Sequence, residues 1–416
     1  MIPVPVEAAK NTKGVAGKNK PVRVPGFLAS AVAAEVKKGT IRPDLGLMYS
    51  QVPAVTAGVF TRNLVKAAPV QLCLSRIGPA VGRAILVNSG NANACTGKAG
   101  LKDAEGLSKQ LAGLLSVPEK QIFPASTGVI GKRLPRERMT KAVPALVKAL
   151  SPEGLSAVSK AIMTTDTFPK LITRELSIAG KKIHVAGMAK GAGMLHPDMA
   201  TMLCFVLTDL ALSPALLNTL LKEAVNRSFH CITVDGDTST NDTVLVMANG
   251  LAGNTPLNKP GERGAKLFSV ALNRILLDLA RMIVRDGEGA TKEVTLCLEG
   301  ARSEREARTL AMTVATSPLV KTAVFGQDAN WGRILAALGR SGISFDPEKA
   351  DIYFDKVQVV KKGLSCGETA ETKAGMVLKK PSFTIRIDLH QGPAQTRIYT
   401  CDFSLDYVRI NAEYRT

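Results

Sequence analysis

Aromatic residues are scarce. Phe, Tyr and Trp make up 4% of the 416 residues, and Trp331 is the single tryptophan. The cores must therefore be built from Ala, Val, Leu and Ile. Histidine is also rare, and its four scattered positions offer no metal-site spacing. Seven cysteines run from Cys73 to Cys401 without a C-x-x-C pair. An odd, scattered set favours reduced thiols over a disulfide framework. No long apolar run is present. The most apolar window, Met199 to Leu221, is broken by Asp209 and by Ser213-Pro214, so it reads as strand, turn and helix rather than as a membrane span. Met1 to Lys20 has no apolar core of signal-peptide type. These absences predict a soluble cytoplasmic protein with no membrane partner, of a length that suits two or three domains.

What the chain has in excess is positive charge, +19 at neutral pH. It is unevenly placed: residues 1–200 hold 28 Lys and Arg against 11 Asp and Glu, whereas residues 201–416 hold 26 against 24. A basic half suits polyanions or acidic small molecules. Against nucleic acid stands the dispersal of the lysines without interleaved aromatics; the longest cluster, Lys132 to Arg138, is short and interrupted. A nucleic-acid-binding protein would bind with a steep salt dependence, and no recognition motif supports one.

The stretch that organises the chain is Lys190-Gly191-Ala192-Gly193-Met194-Leu195-His196-Pro197-Asp198-Met199-Ala200-Thr201-Met202-Leu203. It begins with a lysine in a small-residue loop, passes a proline that resists helix, and ends in Ala200-Thr201 before the apolar run Met202 to Leu207. A threonine there reads in two ways. It is a β-branched residue at the head of a buried strand, or it is an N-terminal nucleophile, whose freed α-amine activates its own hydroxyl once the preceding bond breaks.

Other strings carry weaker signals. Asn88 to Lys98 contains glycines and a lysine, but six residues stand between Gly90 and Gly97 and Ala99 follows Lys98, which rules out a phosphate loop; its asparagines shape a loop instead. Cys231 to Thr243 carries Asp235, Asp237 and Asp242, but position twelve from Asp235 is Val246, so a hydrogen-bonding loop fits better than a calcium loop. Val55 to Phe60, Val70 to Cys73 and Ala84 to Val87 read as strands. Leu101 to Leu115 and Leu267 to Arg285 read as amphipathic helices. Ser151-Pro152 and Ser213-Pro214 read as helix starts, and Glu175 to Val185 alternates around Gly180 as a hairpin. Residues 1–25 are polar and lysine-rich, a loose lead-in. The remainder, with strands around Ile352 and Ile385, reads as a smaller α/β unit.

The run Lys-Gly-x-Gly-Met-(x)2-Pro-x-Met-Ala-Thr-Met-Leu closely resembles the self-cleavage segment of the ornithine acetyltransferases (glutamate N-acetyltransferases) of arginine biosynthesis. The likeness runs nearly end to end. It implies an α/β fold with a layered α-β-β-α core, similar to N-terminal nucleophile hydrolases but differently connected, plus a C-terminal α/β domain. Residues 1–200 would be the α chain and 201–416 the β chain after cleavage between Ala200 and Thr201. About 201–293 would complete the core with the α chain, and about 294–416 would form the C-terminal domain. The assembly would be α2β2. The resemblance makes Thr201 the nucleophile. Thr127 and Gly128, in Phe123 to Gly131, become the oxyanion hole, a role suited to a hydroxyl beside a glycine N–H. It makes Thr164, within Thr164 to Thr167, a substrate contact along with Lys190, Glu288 of Asp286-Gly287-Glu288-Gly289, Asn411 and Thr416. The implied substrates are N-acetylornithine and glutamate, with no metal or cofactor; whether acetyl-CoA is a second donor stays open. A self-processing aminopeptidase or amidase is the alternative, and the matches at Lys190, Glu288, Asn411 and Thr416 weigh against it.

Overall fold

The computed structural model describes residues 22–39, 41–194 and 202–413. In chain order the elements are β1 (Phe27–Val32), β2 (Leu45–Phe60), α1 (Ala68–Arg76), β3 (Val81–Asn88), α2 (Gly97–Leu115), β4 (Ile122–Ser126), α3 (Arg136–Lys148), α4 (Leu155–Ala161), β5 (Lys170–Ile178), β6 (Lys181–Lys190), β7 (Leu203–Thr208), α5 (Pro214–Asn226), β8 (Thr243–Ala248) and α6 (Arg263–Arg285). A second set follows: β9 (Glu293–Ala301), α7 (Glu304–Ala315), α8 (Pro318–Phe325), α9 (Trp331–Gly339), β10 (Asp351–Phe354), β11 (Val357–Lys361), β12 (Leu364–Ser365), α10 (Glu368–Leu378), β13 (Ser382–Asp388), β14 (Ala394–Cys401) and α11 (Leu405–Glu413). Among the described residues no helix is long and apolar enough to cross a membrane.

The first set builds an eight-stranded sheet in the order β4-β3-β2-β8-β7-β6-β5, with β1 on the first half of β2. The sixteen-residue β2 makes this one sheet into two leaves. Its first half pairs with β1 and β3, its register with β3 slips between Tyr49 and Ala54, and its second half pairs with β8. The two-residue period of a strand then sorts side chains into three apolar layers. Along β3, Ala84 and Leu86 face α2 and α3, while Ile85 and Val87 face inward. Along β7, Leu203, Phe205 and Leu207 meet that same inner layer, while Cys204 and Val206 face α5 and α6. The result is an α-β-β-α stack around a mainly aliphatic interior that also buries Phe27, Phe60, Phe123 and Phe205. The second set forms a six-stranded sheet, β12-β11-β10-β13-β9-β14, beginning at Glu293. It joins the first unit through Tyr399 and Cys401 of β14, which pack into the α5–α6 layer.

Several local expectations change. Val70 to Cys73 is not a strand but lies in α1. Pro69 sits in the first turn, where no N–H is needed, and Pro69, Leu72, Cys73 and Arg76 are buried at helical spacing. After Ser151-Pro152 the helix starts late, at Leu155, because the Ser151 backbone forms an isolated bridge with Ala29. Lys190 is the last residue of β6 rather than part of a loop, in register with Leu203 of β7. Of the lysine-rich lead-in, residues 1–21 lie outside the described residues.

Behind the sheet edge lies a closed charge network. Lys170, fully buried, donates to Asp166 at 2.7 Å and to Asp286. Asp166 also accepts the N–H groups of Thr164 (3.0 Å) and Gly191 (2.7 Å), and Asp286 accepts the N–H and hydroxyl of Thr167. Burial alone would raise the Asp166 carboxyl; the Lys190 and Lys170 ammoniums and the Gly191 N–H outweigh it and bring it from 3.8 to about 2. A depressed carboxylate stabilises the fold above its ordinary pKa, and that stability is lost as pH falls from about 4 towards 2. Asp166→Asn should therefore cost about 2 kcal/mol or more at pH 7. The gap in melting temperature from wild type should narrow as pH drops through that window. Calorimetry showing a constant gap from pH 7 to 2 would contradict this assignment.

Candidate active site

A cavity of about 220 Å3 opens where the two leaves, the Glu288 turn and α11 converge. Its wall includes Thr127, Gly128, Thr164, Thr165, Lys190, Gly193, Met194, Glu288, Tyr407 and Asn411, together with Asp235 to Asn241 of the loop before β8. Six of the site residues predicted from sequence thus meet in one space: Thr127, Gly128, Thr164, Lys190, Glu288 and Asn411. Ala200, Thr201 and Thr416 lie outside the described residues. Met202, which follows Thr201 in the chain, is held by its N–H to Asp242 Oδ1 at 2.9 Å.

The Thr127-Gly128 turn is built by asparagines. Ser126 donates to Asn88 Oδ1 at 2.6 Å, Asn88 donates to the Asn91 carbonyl at 2.9 Å, and Asn241 donates to the carbonyls of Ala92 and Ser126 at 2.7 and 2.8 Å. The Asn88 to Lys98 loop is thereby clamped against the strand end. Gly128 has φ of +130°, and a Cβ there would stand 2.4 Å from the Gly90 carbonyl carbon, so only glycine fits. Among the described residues neither the Gly128 N–H nor the Thr127 hydroxyl hydrogen is given to any acceptor. Two undedicated donors at a cavity wall form what an oxyanion hole requires.

Lys190 enters from the end of β6, 2% exposed. Its Nζ donates to Thr164 Oγ1 at 2.8 Å and to Thr127 Oγ1 at 3.2 Å, and it stands 4.0 Å from Asp166. Burial lowers its pKa, opposed by Asp166 and then by Glu288 and Asp242, with Lys170 adding to the lowering. Within the threonine run, Thr164 and Thr165 face the cavity, whereas Thr167 turns away to Asp286.

The opposite wall is acidic. Glu288 is 8% exposed, its N–H bonds the Ala192 carbonyl at 2.8 Å, and its Oε2 accepts from Asn411 at 2.9 Å. Gly193 passes so close that a Cβ would lie 2.4 Å from Glu288 Oε2. Asp235 accepts the Met194 N–H at 2.6 Å and Asp242 accepts the Met202 N–H, so the loop carboxylates hold backbone on both sides of residues 195–201. Among the described residues no cluster of His, Cys, Asp or Glu is arranged to hold a metal ion. Burial drives the Asp242 carboxyl well above its ordinary range. Tyr407 is raised by burial, with Asp235 and Glu288 adding to it. Asp402, 1% exposed, fixes the start of the C-terminal segment by accepting from Thr291 and Lys292 N–H groups at 2.8 and 2.9 Å. Lys170, Asp402 and Tyr407 escaped the sequence reading. The spacing of Asp166 and Lys170, four apart, is the one local hint of their pairing; Asp402 and Tyr407 have none.

Comparison with known proteins follows the same lines. Among solved structures, the arginine biosynthesis bifunctional protein ArgJ of Bacillus halodurans aligns with a TM-score of 0.48 and 42% identity, over 50% of this chain and 96% of that chain. The ornithine acetyltransferase of Mycobacterium tuberculosis, complexed with ornithine, aligns with a TM-score of 0.37 and 36% identity, over 42% and 92%. The sequence relations are broader. Arginine biosynthesis bifunctional protein ArgJ of Geobacter sulfurreducens is 50% identical over 395 residues, covering 95% of this chain and all of the relative. Its counterpart in Desulfotalea psychrophila matches to the same extent. The sequence model of the ArgJ family matches residues 28–416, so the chain belongs to the ArgJ family.

Proposed function

We propose that this acyltransferase moves the acetyl group of N-acetylornithine to glutamate through an acetyl-Thr201 intermediate, after cutting its own chain between Ala200 and Thr201. The observation that carries the reading is the convergence of Thr127, Gly128, Thr164, Lys190, Glu288 and Asn411 on one cavity. These residues come from five separate places in the sequence.

In the first reaction the Thr201 hydroxyl attacks the Ala200 carbonyl. The tetrahedral oxyanion takes hydrogen bonds from the Gly128 N–H and the Thr127 hydroxyl. Collapse expels the Thr201 nitrogen, which takes the hydroxyl proton and becomes a free amine, and leaves an ester on Thr201 Oγ; water then cleaves that ester to the Ala200 carboxylate and the Thr201 hydroxyl. In the second reaction that amine takes the Thr201 hydroxyl proton as the oxygen attacks the acetyl carbonyl of N-acetylornithine. It then returns the proton to the departing ornithine nitrogen. The glutamate amine attacks acetyl-Thr201 by the reverse route. Lys190 supplies a cationic wall for a substrate carboxylate, and Glu288, held by Asn411, supplies an anionic one for an ammonium. The pieces stay together after cutting, because β7 of the second is hydrogen-bonded to β6 of the first and β8 to β2. Whether acetyl-CoA serves as a second acetyl donor to glutamate is decided by assaying glutamate acetylation with acetyl-CoA in place of N-acetylornithine.

Three outcomes test this reading. Denaturing mass spectrometry of purified protein should show two pieces, 1–200 and 201–416, that elute together under native conditions. Thr201→Ala should give one uncut, inactive chain, and an intact wild type with full activity would remove the N-terminal nucleophile.

Thr127→Ala and Gly128→Ala should each slow both cleavage and transfer, because both pass through an oxyanion. Loss of one donor costs roughly 3–4 kcal/mol of transition-state stabilisation. Normal rates of both reactions in either variant would take that residue out of the hole.

Deleting Asn411 to Thr416 should spare cleavage yet cut kcat/KM for transfer about 100-fold, the scale of lost positioning. A truncated enzyme with unchanged transfer would strike Asn411 and Thr416 from the site. Peptide amides should be turned over far more slowly than N-acetylornithine; the reverse ranking would favour the aminopeptidase alternative.

A further inference from the structure

The hydrogen bonds of Lys190 are not those of a lysine waiting for a substrate carboxylate. Two of its three N–H donors are given to protein hydroxyls, Thr164 Oγ1 at 2.8 Å and Thr127 Oγ1 at 3.2 Å, and the side chain is nearly sealed from water. Asp166 stands 4.0 Å behind it and is itself locked by Lys170 and the Gly191 N–H. The ammonium is thus fixed on the protein side of the cavity wall. Thr127 receives a hydrogen bond on its oxygen, and among the described residues its own hydrogen goes to no acceptor.

A hydroxyl that accepts at one lone pair must aim its O–H elsewhere, and for Thr127 the remaining direction is the cavity it lines. Hydrogen bonds in series polarise one another, and a charged donor strengthens the effect in a dry site. The Thr127 hydroxyl therefore becomes both better oriented and a stronger donor when Lys190 is present.

We propose that Lys190 acts through Thr127: it orients and polarises the hydroxyl of the oxyanion hole, and so serves both acyl steps as a positioning residue in addition to any contact with substrate. Acceptance from Lys190 leaves the Thr127 hydrogen free for the oxyanion in the self-cleavage reaction as well as in acetyl transfer. This inference rests on the acetyltransferase reading. It makes a distinct demand, because self-cleavage involves no substrate carboxylate: a lysine that only anchors substrate has no part in it.

The experiment is a double-mutant cycle on the full chain, with Lys190→Met, Thr127→Val and the pair. Cleavage is followed as precursor decay in cell-free synthesis, and acetyl transfer as kcat and KM separately. Lys190→Met should slow cleavage and lower kcat in parallel, each about ten- to a hundredfold. That is less than the roughly 10²–10³-fold cost of losing an oxyanion donor outright. In the Thr127→Val background the same change should reduce either rate by less than about twofold, because the group it acts through is gone. Lys190→Arg should restore part of both rates. Wild-type cleavage in Lys190→Met with a change confined to KM overturns the proposal, and so do losses that multiply in the pair. Should the methionine chain fail to fold, the Lys190→Arg and Thr127→Val pair gives the same comparison, and multiplying losses there overturn it equally. A wild type that neither cuts nor transfers would be a failure of the acetyltransferase reading itself.

Discussion

Two buried lysines and two buried aspartates hold the site in place. Lys170 bridges Asp166 and Asp286, and Asp166 in turn faces Lys190 and takes the N–H groups of Thr164 and Gly191. Charges sealed this thoroughly persist only when paired and hydrogen-bonded. The network therefore fixes three stretches that are far apart in sequence: the threonine turn after α4, the end of β6 and the exit of α6. Glu288 lies two residues beyond Asp286, and Lys190 opens the stretch that leads to Thr201. Thr164, Lys190 and the start of the Glu288 turn take their positions from this cluster.

The sheet would hold the two pieces together under the proposed cut. Lys190 and Leu203 sit opposite each other in the β6–β7 ladder, so the stretch between them is bracketed by paired strands. β8 lies parallel to β7 and antiparallel to the second half of β2, which interleaves strands from before and after position 200. The β6–β7 ladder ends at Lys190 and Leu203, outside residues 195–201. The acidic wall depends on the C-terminal segment, which Asp402 and the Asn411–Glu288 bond tie to the α6 exit. Fixed structure thus flanks both ends of residues 195–201.

Much of this was legible in the sequence where chemistry is local. The Thr127-Gly128 turn, the Lys190 run, the Glu288 turn and Asn411 are short strings, and the long helices α2, α5 and α6 show clear apolar periods. The features that escaped arise from long-range contact. Lys170 is an isolated lysine whose partners are four and 116 residues away. The two leaves depend on a register slip in β2 that no composition reveals. Val70 to Cys73 is a mostly apolar run of four residues, too short to separate a strand from a turn of helix, and Pro69 and Arg76 decide for helix. Asp235 and Asp242 read as a hydrogen-bonding loop rather than a calcium loop, but what they hold, backbone N–H groups on both sides of residues 195–201, is seen only in the fold.

The central claim is that an acetyl group rests on Thr201 between donor and acceptor. It is tested most directly by mixing the enzyme with N-acetylornithine in the absence of glutamate, quenching within a turnover, and weighing the pieces by intact mass spectrometry. The account predicts that the 201–416 piece gains one acetyl group, that fragmentation places it on Thr201, and that glutamate removes it. An active enzyme whose 201–416 piece stays unmodified throughout turnover would contradict it.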